Sequence, residues 1–281
     1  MVGDASRTGG GAPELTAGLR AGYDIAACGW SDGPGPLYAR LARVLVAAAP
    51  VPLPGAGVLD LGSGPGVAGR AALAAGAGQV VAADLSVGML KRALDLCRPD
   101  LTGGAAWRPV AADAVALPFR DRSFDLVVAA FCLNHLASPA AGLAEARRVG
   151  AAIAASAFAP GWGHPAKGAV DEILRSFGHQ PPAWHACLSP GSRAGDPELL
   201  AEHAAAAGFT DVQVRTTDVR TGLVTPAELA SWRLGLAQFA PFLASLDAPD
   251  RAAVRRAAEH AVAGLAASEP LVVSMVMLTA C

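Results

Sequence analysis

Lysine is nearly absent from this 281-residue chain: Lys91 and Lys167 stand against twenty arginines. Basic and acidic residues almost balance, 22 to 24, for a formal net charge of -2, which argues against a nucleic-acid partner that would need a basic face. Charged residues make up only 16%, against 53% apolar, so a disordered chain is excluded. Long apolar runs are missing too, although the mean hydropathy is +0.38. The stretches 125–137, 151–160 and 271–281 all fall short of the about 18–20 residues of a spanning helix. No apolar run follows a basic start at the N-terminus, so no secretory signal is expected and the protein is expected in the cytoplasm. The five cysteines, Cys28, Cys97, Cys132, Cys187 and Cys281, contain no C-x-x-C pair and read as reduced thiols. The six histidines show no metal-ligand spacing, so no metal is expected. Only two tyrosines occur, Tyr23 and Tyr38, and neither has a lysine four residues on, which disfavours a Tyr-x-x-x-Lys oxidoreductase.

What the chain does contain is an alternation of short apolar runs with alanine-rich helical stretches. Runs at 57–61, 79–83, 107–111, 125–130 and 151–158 have strand length, and helical stretches at 67–75, 86–97 and 138–149 separate most of them. Near-continuous apolar strands predict an α/β, doubly wound, mostly parallel sheet covered on both faces. Residues 1–13 read as a disordered start and 14–54 as a helical cap. Leu37, Leu41, Val44 and Leu45 share a helical face there, and the turn-rich 29–36 interrupts the cap. Residues 55–159 form the ligand-binding core. Residues 160–195 read as a lid insertion, and 196–281 complete the core with a helical insertion at about 220–266. Strands near 211–219 and 271–279 bring the count to seven. Ser138-Pro139, Asp196-Pro197 and Thr225-Pro226 mark helix starts, the last as a capping box with Glu228.

Val58-Leu59-Asp60-Leu61-Gly62-Ser63-Gly64-Pro65-Gly66 runs from a buried strand through a glycine loop into a helix, where backbone N–H groups can meet a ligand closely. Gly64-x-Gly66-x-x-Gly69, with Asp84 about 20 residues on, formally fits a dinucleotide fingerprint. Asp60 argues otherwise: a carboxylate two residues before the loop would repel a pyrophosphate and pair well with an ammonium group.

With Ala83-Asp84-Leu85-Ser86-Val87-Gly88-Met89, Asp113 before Leu117-Pro118-Phe119, and Ser123-Phe124-Asp125-Leu126-Val127-Val128 before Asn134-His135-Leu136, the chain over about 55–160 resembles the class I S-adenosylmethionine (SAM) dependent methyltransferases. The likeness is strongest to their ubiquinone/menaquinone-biosynthesis branch. The resemblance implies that Asp60 and the backbone of Gly62, Ser63, Gly64 and Gly66 hold the amino-acid end of SAM. Asp84 would take both ribose hydroxyls, Leu85 and Met89 flank the adenine, and Asp113 beside Ala114 contacts the adenine amino group. Phe131 would border the methionine part, and Tyr23 matches a tyrosine that closes over SAM. S-adenosylhomocysteine (SAH) would be the product.

On the acceptor side, His135 follows the fourth strand and is the candidate general base, with turnover rising through pH 6–7 as a free imidazole titrates. Trp30, Trp162 and His164 are candidates for the acceptor pocket. His179 and His185 read as solvated. The Asn/Asp-Pro-Pro-aromatic motif of nucleic-acid amino methyltransferases is missing, and the insertions suit a roofed apolar pocket for a small organic acceptor. The expected activity is methylation of O, N or C on a quinone-like molecule or secondary metabolite, by a monomer or homodimer that spans no membrane. A SAM-binding cyclase or non-catalytic subunit stays open at this point.

Overall fold

A computed structural model describes residues 11–97, 106–188 and 194–281. Two helices open the chain, α1 (Gly11–Asp32) and α2 (Gly35–Ala47), followed by β1 (Gly57–Leu61), α3 (Val67–Ala74), β2 (Gln79–Asp84), α4 (Val87–Cys97), β3 (Ala106–Ala111) and β4 (Phe124–Ala130). A 3₁₀ turn at Leu133–His135 precedes α5 (Pro139–Val149) and β5 (Gly150–Phe158). Then come α6 (Pro165–Ser176), α7 (Ala183–Leu188), α8 (Pro197–Ala206), β6 (Gln213–Arg220), α9 (Pro226–Leu234), α10 (Ala240–Ser245), α11 (Ala248–Ser268) and β7 (Val272–Ala280).

The strands form one seven-stranded sheet in the order β3-β2-β1-β4-β5-β7-β6, with β7 antiparallel to both of its neighbours and the other pairs parallel. Successive side chains of a strand point to opposite faces, and the two cores follow that alternation. Val58, Leu126 and Val128 enter a core with Leu37, Leu41 and Leu45 of α2 and with α6, α9 and α11. Leu59, Leu61, Val127 and Ile153 enter the opposite core with Leu143 of α5 and Leu200 of α8. All five residues of β1 are buried, so the strand is apolar apart from Asp60, the one charged residue in it. The chain leaves β1 toward β2 on one side and β4 pairs on the other, so a crevice opens at the carboxyl end of β1.

The expected caps form. Ser138 accepts from the Ala141 N–H, Asp196 from Glu198 and Leu199, and Thr225 and Glu228 complete a capping box. Several boundaries differ from the expectation. Residues 11–13 belong to α1, and the rest of the supposed disordered start lies outside the described residues. α1 also runs through Gly29, because the Gly33 N–H closes on the Gly29 carbonyl at 2.9 Å, so the break shrinks to 33–34. Val44 is only partly buried, and Val46, 3% exposed, takes its place on the inner face of α2. The lid segment holds two helices, α6 and α7, with 189–193 outside the described residues, and the helical insertion holds three, α9 to α11. Among the described residues no helix is long and apolar enough to cross a membrane.

Candidate active site

A cavity of about 640 Å³ opens at the carboxyl end of β1 and β4, roofed by α1, α7 and α9. The glycine loop forms its floor. Gly62 has φ of +64°, and a Cβ there would sit 2.5 Å from Cys132 Sγ, so only glycine lets the loop lie against the 131–135 segment. Gly62, Ser63 and Gly64 line the cavity. Gly66 does not. A Cβ on Gly66 would meet the Trp107 ring at 2.7 Å, so this glycine serves the packing of the loop on β3.

Three acids converge on the same space. Asp60 is 1% exposed and accepts the Gly69 N–H at 2.7 Å. Burial pushes its carboxyl up to about 7, the Gly69 donor opposes this, and the Asp84 charge adds to it. Asp84 accepts the Gly64 N–H at 2.7 Å and the Ser86 N–H at 2.8 Å. Its carboxyl also lies above the usual range because of burial. Asp113, in the turn after β3, accepts the Val115 N–H at 3.1 Å and lines the wall with Ala114. Leu85 and Met89 complete that side.

Phe131 is held at φ +54°, rare for an aromatic residue, by its N–H to the Ser156 carbonyl at 3.0 Å. Its ring meets Tyr38 edge-on at 5.3 Å and Phe158 at 4.5 Å, forming an aromatic wall with Trp30. Next along the same segment, Asn134 presents a buried Oδ1 with no hydrogen-bond partner among the described residues. Such an orphaned acceptor on a cavity wall suits a ligand that carries a donor.

His135 Nε2 lies 3.2 Å from the Tyr23 hydroxyl, and the two rings meet edge-on at 5.6 Å. Burial, and then the nearby His185, pulls the His135 imidazole down to about 4. This corrects the expected rise through pH 6–7: the ring is already neutral, and able to accept a proton, across that range. Burial holds the Tyr23 phenol above its usual range, so it stays a donor. Asp24, one residue on, accepts from the Ser86 hydroxyl at 2.6 Å and the Gly88 N–H at 2.7 Å, which ties α1 to the start of α4 and carries Tyr23 over the cavity. A Cβ on Gly88 would lie 2.8 Å from the Asp24 carbonyl, so the glycine permits that approach.

Thus Tyr23, Trp30, Asp60, Gly62, Ser63, Gly64, Asp84, Leu85, Met89, Asp113, Ala114, Phe131 and His135 share one cavity. Trp162 and His164 do not line it. Trp162 stacks behind Phe158 at 4.6 Å and donates to the Val272 carbonyl at 2.9 Å. His164 caps α6, with Nδ1 accepting the Ala166 N–H and Nε2 near the Glu269 carbonyl. The two histidines read as solvated are not. His179 is 4% exposed between Phe239 and Phe242, and His185 lines the cavity. Sequence reasoning also passed over Trp184 and Arg233, both on the cavity wall. Arg233 had a legible signal, a lone cation among the buried Leu229, Ala230, Trp232 and Leu234.

The comparisons agree with this architecture. A family model described as a methyltransferase domain matches residues 59–152. A demethylmenaquinone methyltransferase from Renibacterium salmoninarum is 34% identical over 193 residues, covering 65% of this chain and 77% of the relative. The chain belongs to the class I SAM-dependent methyltransferases. Another demethylmenaquinone methyltransferase, from Clavibacter sepedonicus, is 44% identical over 110 residues, which span 39% of this chain and 43% of that protein. The match thus spans less than half the length of that relative. A solved Haemonchus contortus phosphoethanolamine N-methyltransferase 2, in complex with phosphomonomethylethanolamine and S-adenosylhomocysteine, superposes with a TM-score of 0.52 at 18% identity. It covers 85% of this chain and 52% of that one, and shows the shared fold.

Proposed function

We propose that the cavity binds SAM and that the protein transfers its methyl group to a small organic acceptor. The observation that carries this reading is the convergence of Asp60, Asp84 and Asp113 on one glycine-floored cavity that His135 also lines. Carboxylates in those places suit a ligand with an ammonium group, two vicinal hydroxyls and an exocyclic amine, and they repel a pyrophosphate. Asp60 would hold the ammonium and Asp84 the ribose hydroxyls. Asp113 with Leu85 and Met89 would hold the adenine, and Phe131 would border the methionine chain. When bound, SAM supplies an electrophilic methyl carbon: a bond forms from the acceptor nucleophile to that carbon while the carbon–sulfur bond breaks, its electron pair passing to sulfur.

The chain's own part is positioning and proton transfer. Neutral His135 accepts the proton of the acceptor's O–H, N–H or C–H, once the Tyr23 hydroxyl yields Nε2. The roof of α1, α7 and α9 excludes water and aligns the nucleophile, an effect of ~7–11 kcal/mol in favourable systems. The aromatic wall of Trp30, Tyr38, Phe131 and Phe158 favours a planar, quinone-like acceptor, in keeping with relatives named for demethylmenaquinone. Among the described residues Cys28, Cys132 and Cys281 form no disulfide, which supports a reducing, cytoplasmic setting. Incubation with methyl-labelled SAM and a panel of phenols, quinols and aromatic amines tests the reading. Label in an extracted product supports it; SAM binding with no transfer to any acceptor would favour the cyclase or non-catalytic alternative.

A further inference from the structure

Two cations line the cavity among the described residues, Arg20 and Arg233. Arg20 is exposed on α1, whereas Arg233 is 8% exposed in the roof on α9. Its Nε and Nη2 donate to the two carboxylate oxygens of Asp171 on α6, at 2.7 and 2.6 Å. Its guanidinium carbon lies 4.9 Å from the centre of the Phe239 ring. Asp171 thereby occupies one edge of the five-donor fork and leaves Nη1 uncommitted among the described residues. A tie between α6 and α9 needs no charge: apolar pairs of the same volume are often as stable as a buried ion pair. A cation kept at a cavity wall therefore calls for a ligand.

Its neighbours on that wall sharpen the chemistry. Tyr38 lies within reach of the Arg233 charge, and burial keeps its phenol protonated and donating. His185, also on the wall, is held toward its neutral form by burial and by Arg233. Tyr38 packs against Trp30, Phe131 and Phe158, and His185 meets Trp184 edge-on at 5.7 Å. The carboxylates Asp60, Asp84 and Asp113 line the cofactor half, and the Asp196 carboxylate is occupied in capping α8. The acceptor half thus pairs an aromatic wall with anion-binding donors. We infer that the acceptor is an aromatic carboxylate, anchored at the carboxylate by Arg233 with the Tyr38 hydroxyl beside it, so that its nucleophile is turned toward His135. This rests on the methyl-transfer reading of the cavity.

Calorimetry on the full chain, with and without saturating SAH, tests it with 2-naphthoate and its neutral isostere 2-naphthamide. The wild type should bind the carboxylate about tenfold or more tightly than the amide, the size of one charge-assisted hydrogen bond. In Arg233→Met that preference should vanish while SAH binds within about twofold of wild type, since the acids that hold it are untouched. In Asp171→Asn, which leaves the guanidinium without its neutralising partner, the preference should exceed that of the wild type. Naphthoate binding no tighter than naphthamide in the wild type, or not at all, overturns the inference, as does an unchanged or weaker preference in Asp171→Asn. Those two measurements decide the matter even where Arg233→Met does not fold. Failure of the wild type to bind SAH refutes the cofactor reading instead, because the naphthoate preference is also measured without it.

Discussion

Replacing Asp84 by alanine removes one carboxylate that serves both the loop and the cofactor. The structure gives its oxygens two close protein donors, the Gly64 N–H at 2.7 Å and the Ser86 N–H at 2.8 Å, with the Leu85 N–H contributing more weakly. A carboxylate offers about four lone-pair sites, so roughly two stay open, enough for two ribose hydroxyls. Each bond to a charged acceptor contributes about 1.5–3 kcal/mol, and the pair together sets an upper limit of about 3–6 kcal/mol on the lost affinity. SAH should therefore bind roughly 10²–10⁴-fold more weakly. Stability changes less, because two opposing effects meet. The orphaned Gly64 and Ser86 N–H groups each cost about 1–3 kcal/mol if they stay dry, while the penalty of burying a carboxylate, visible in its raised pKa, disappears. Asp84→Asn keeps the shape and one acceptor oxygen but turns an amide N–H toward a backbone donor, so its affinity should fall between the two. Isothermal calorimetry with SAH, alongside thermal unfolding of each variant, reads both quantities. A folded Asp84→Ala with an unchanged SAH dissociation constant would remove Asp84 from the site and with it the reasoning from its geometry.

His135→Ala should lower turnover ~10²–10⁴-fold with SAM affinity nearly unchanged, and the wild-type rate should be flat in this residue's contribution from pH 6 to 8, its imidazole titrating near 4. A steep rise through pH 6–7 that His135→Ala abolishes would contradict the buried environment. SAH affinity should increase with pH from 5.5 to about 7, by up to about tenfold per unit, and level off above it. The sign follows from Asp60, neutral below about 7 and ionised above, where only the ionised form pairs with an ammonium; Asp84, also raised, acts in the same direction. Calorimetry in buffers of different ionisation heat should show proton release on binding, and a flat affinity with no proton release would exclude Asp60 as the ammonium partner.

How much of this was legible depended on whether the signal was local. The strands were readable because β1 and β4 are buried over most of their length and so appear as short apolar runs, broken only by Asp60 in one and Asp125 in the other. The floor was readable because a loop that must pass within contact of Cys132 admits only glycine at 62. The roof was not. α1 runs through Gly29, α7 brings Trp184 and His185 inward, and α9 presents Arg233. These depend on packing between segments up to two hundred residues apart, which no periodicity encodes. Trp162 and His164 failed for the same reason. An aromatic beside a cavity-forming segment can stack in front of Phe158 or behind it, and a histidine before a proline can face a ligand or cap a helix. Likewise, the residue type of His135 indicated a proton acceptor, but only its burial against Tyr23 fixed where it titrates.

Calorimetric titration of the wild-type 281-residue chain with SAM, SAH and NAD, without added metal, meets the central claim most directly. Micromolar-range binding of SAM and SAH, with NAD bound at least a hundredfold more weakly, is the result expected from three converging carboxylates (~2.7 kcal/mol or more of discrimination). Tight binding of NAD with no detectable binding of SAM or SAH would contradict it.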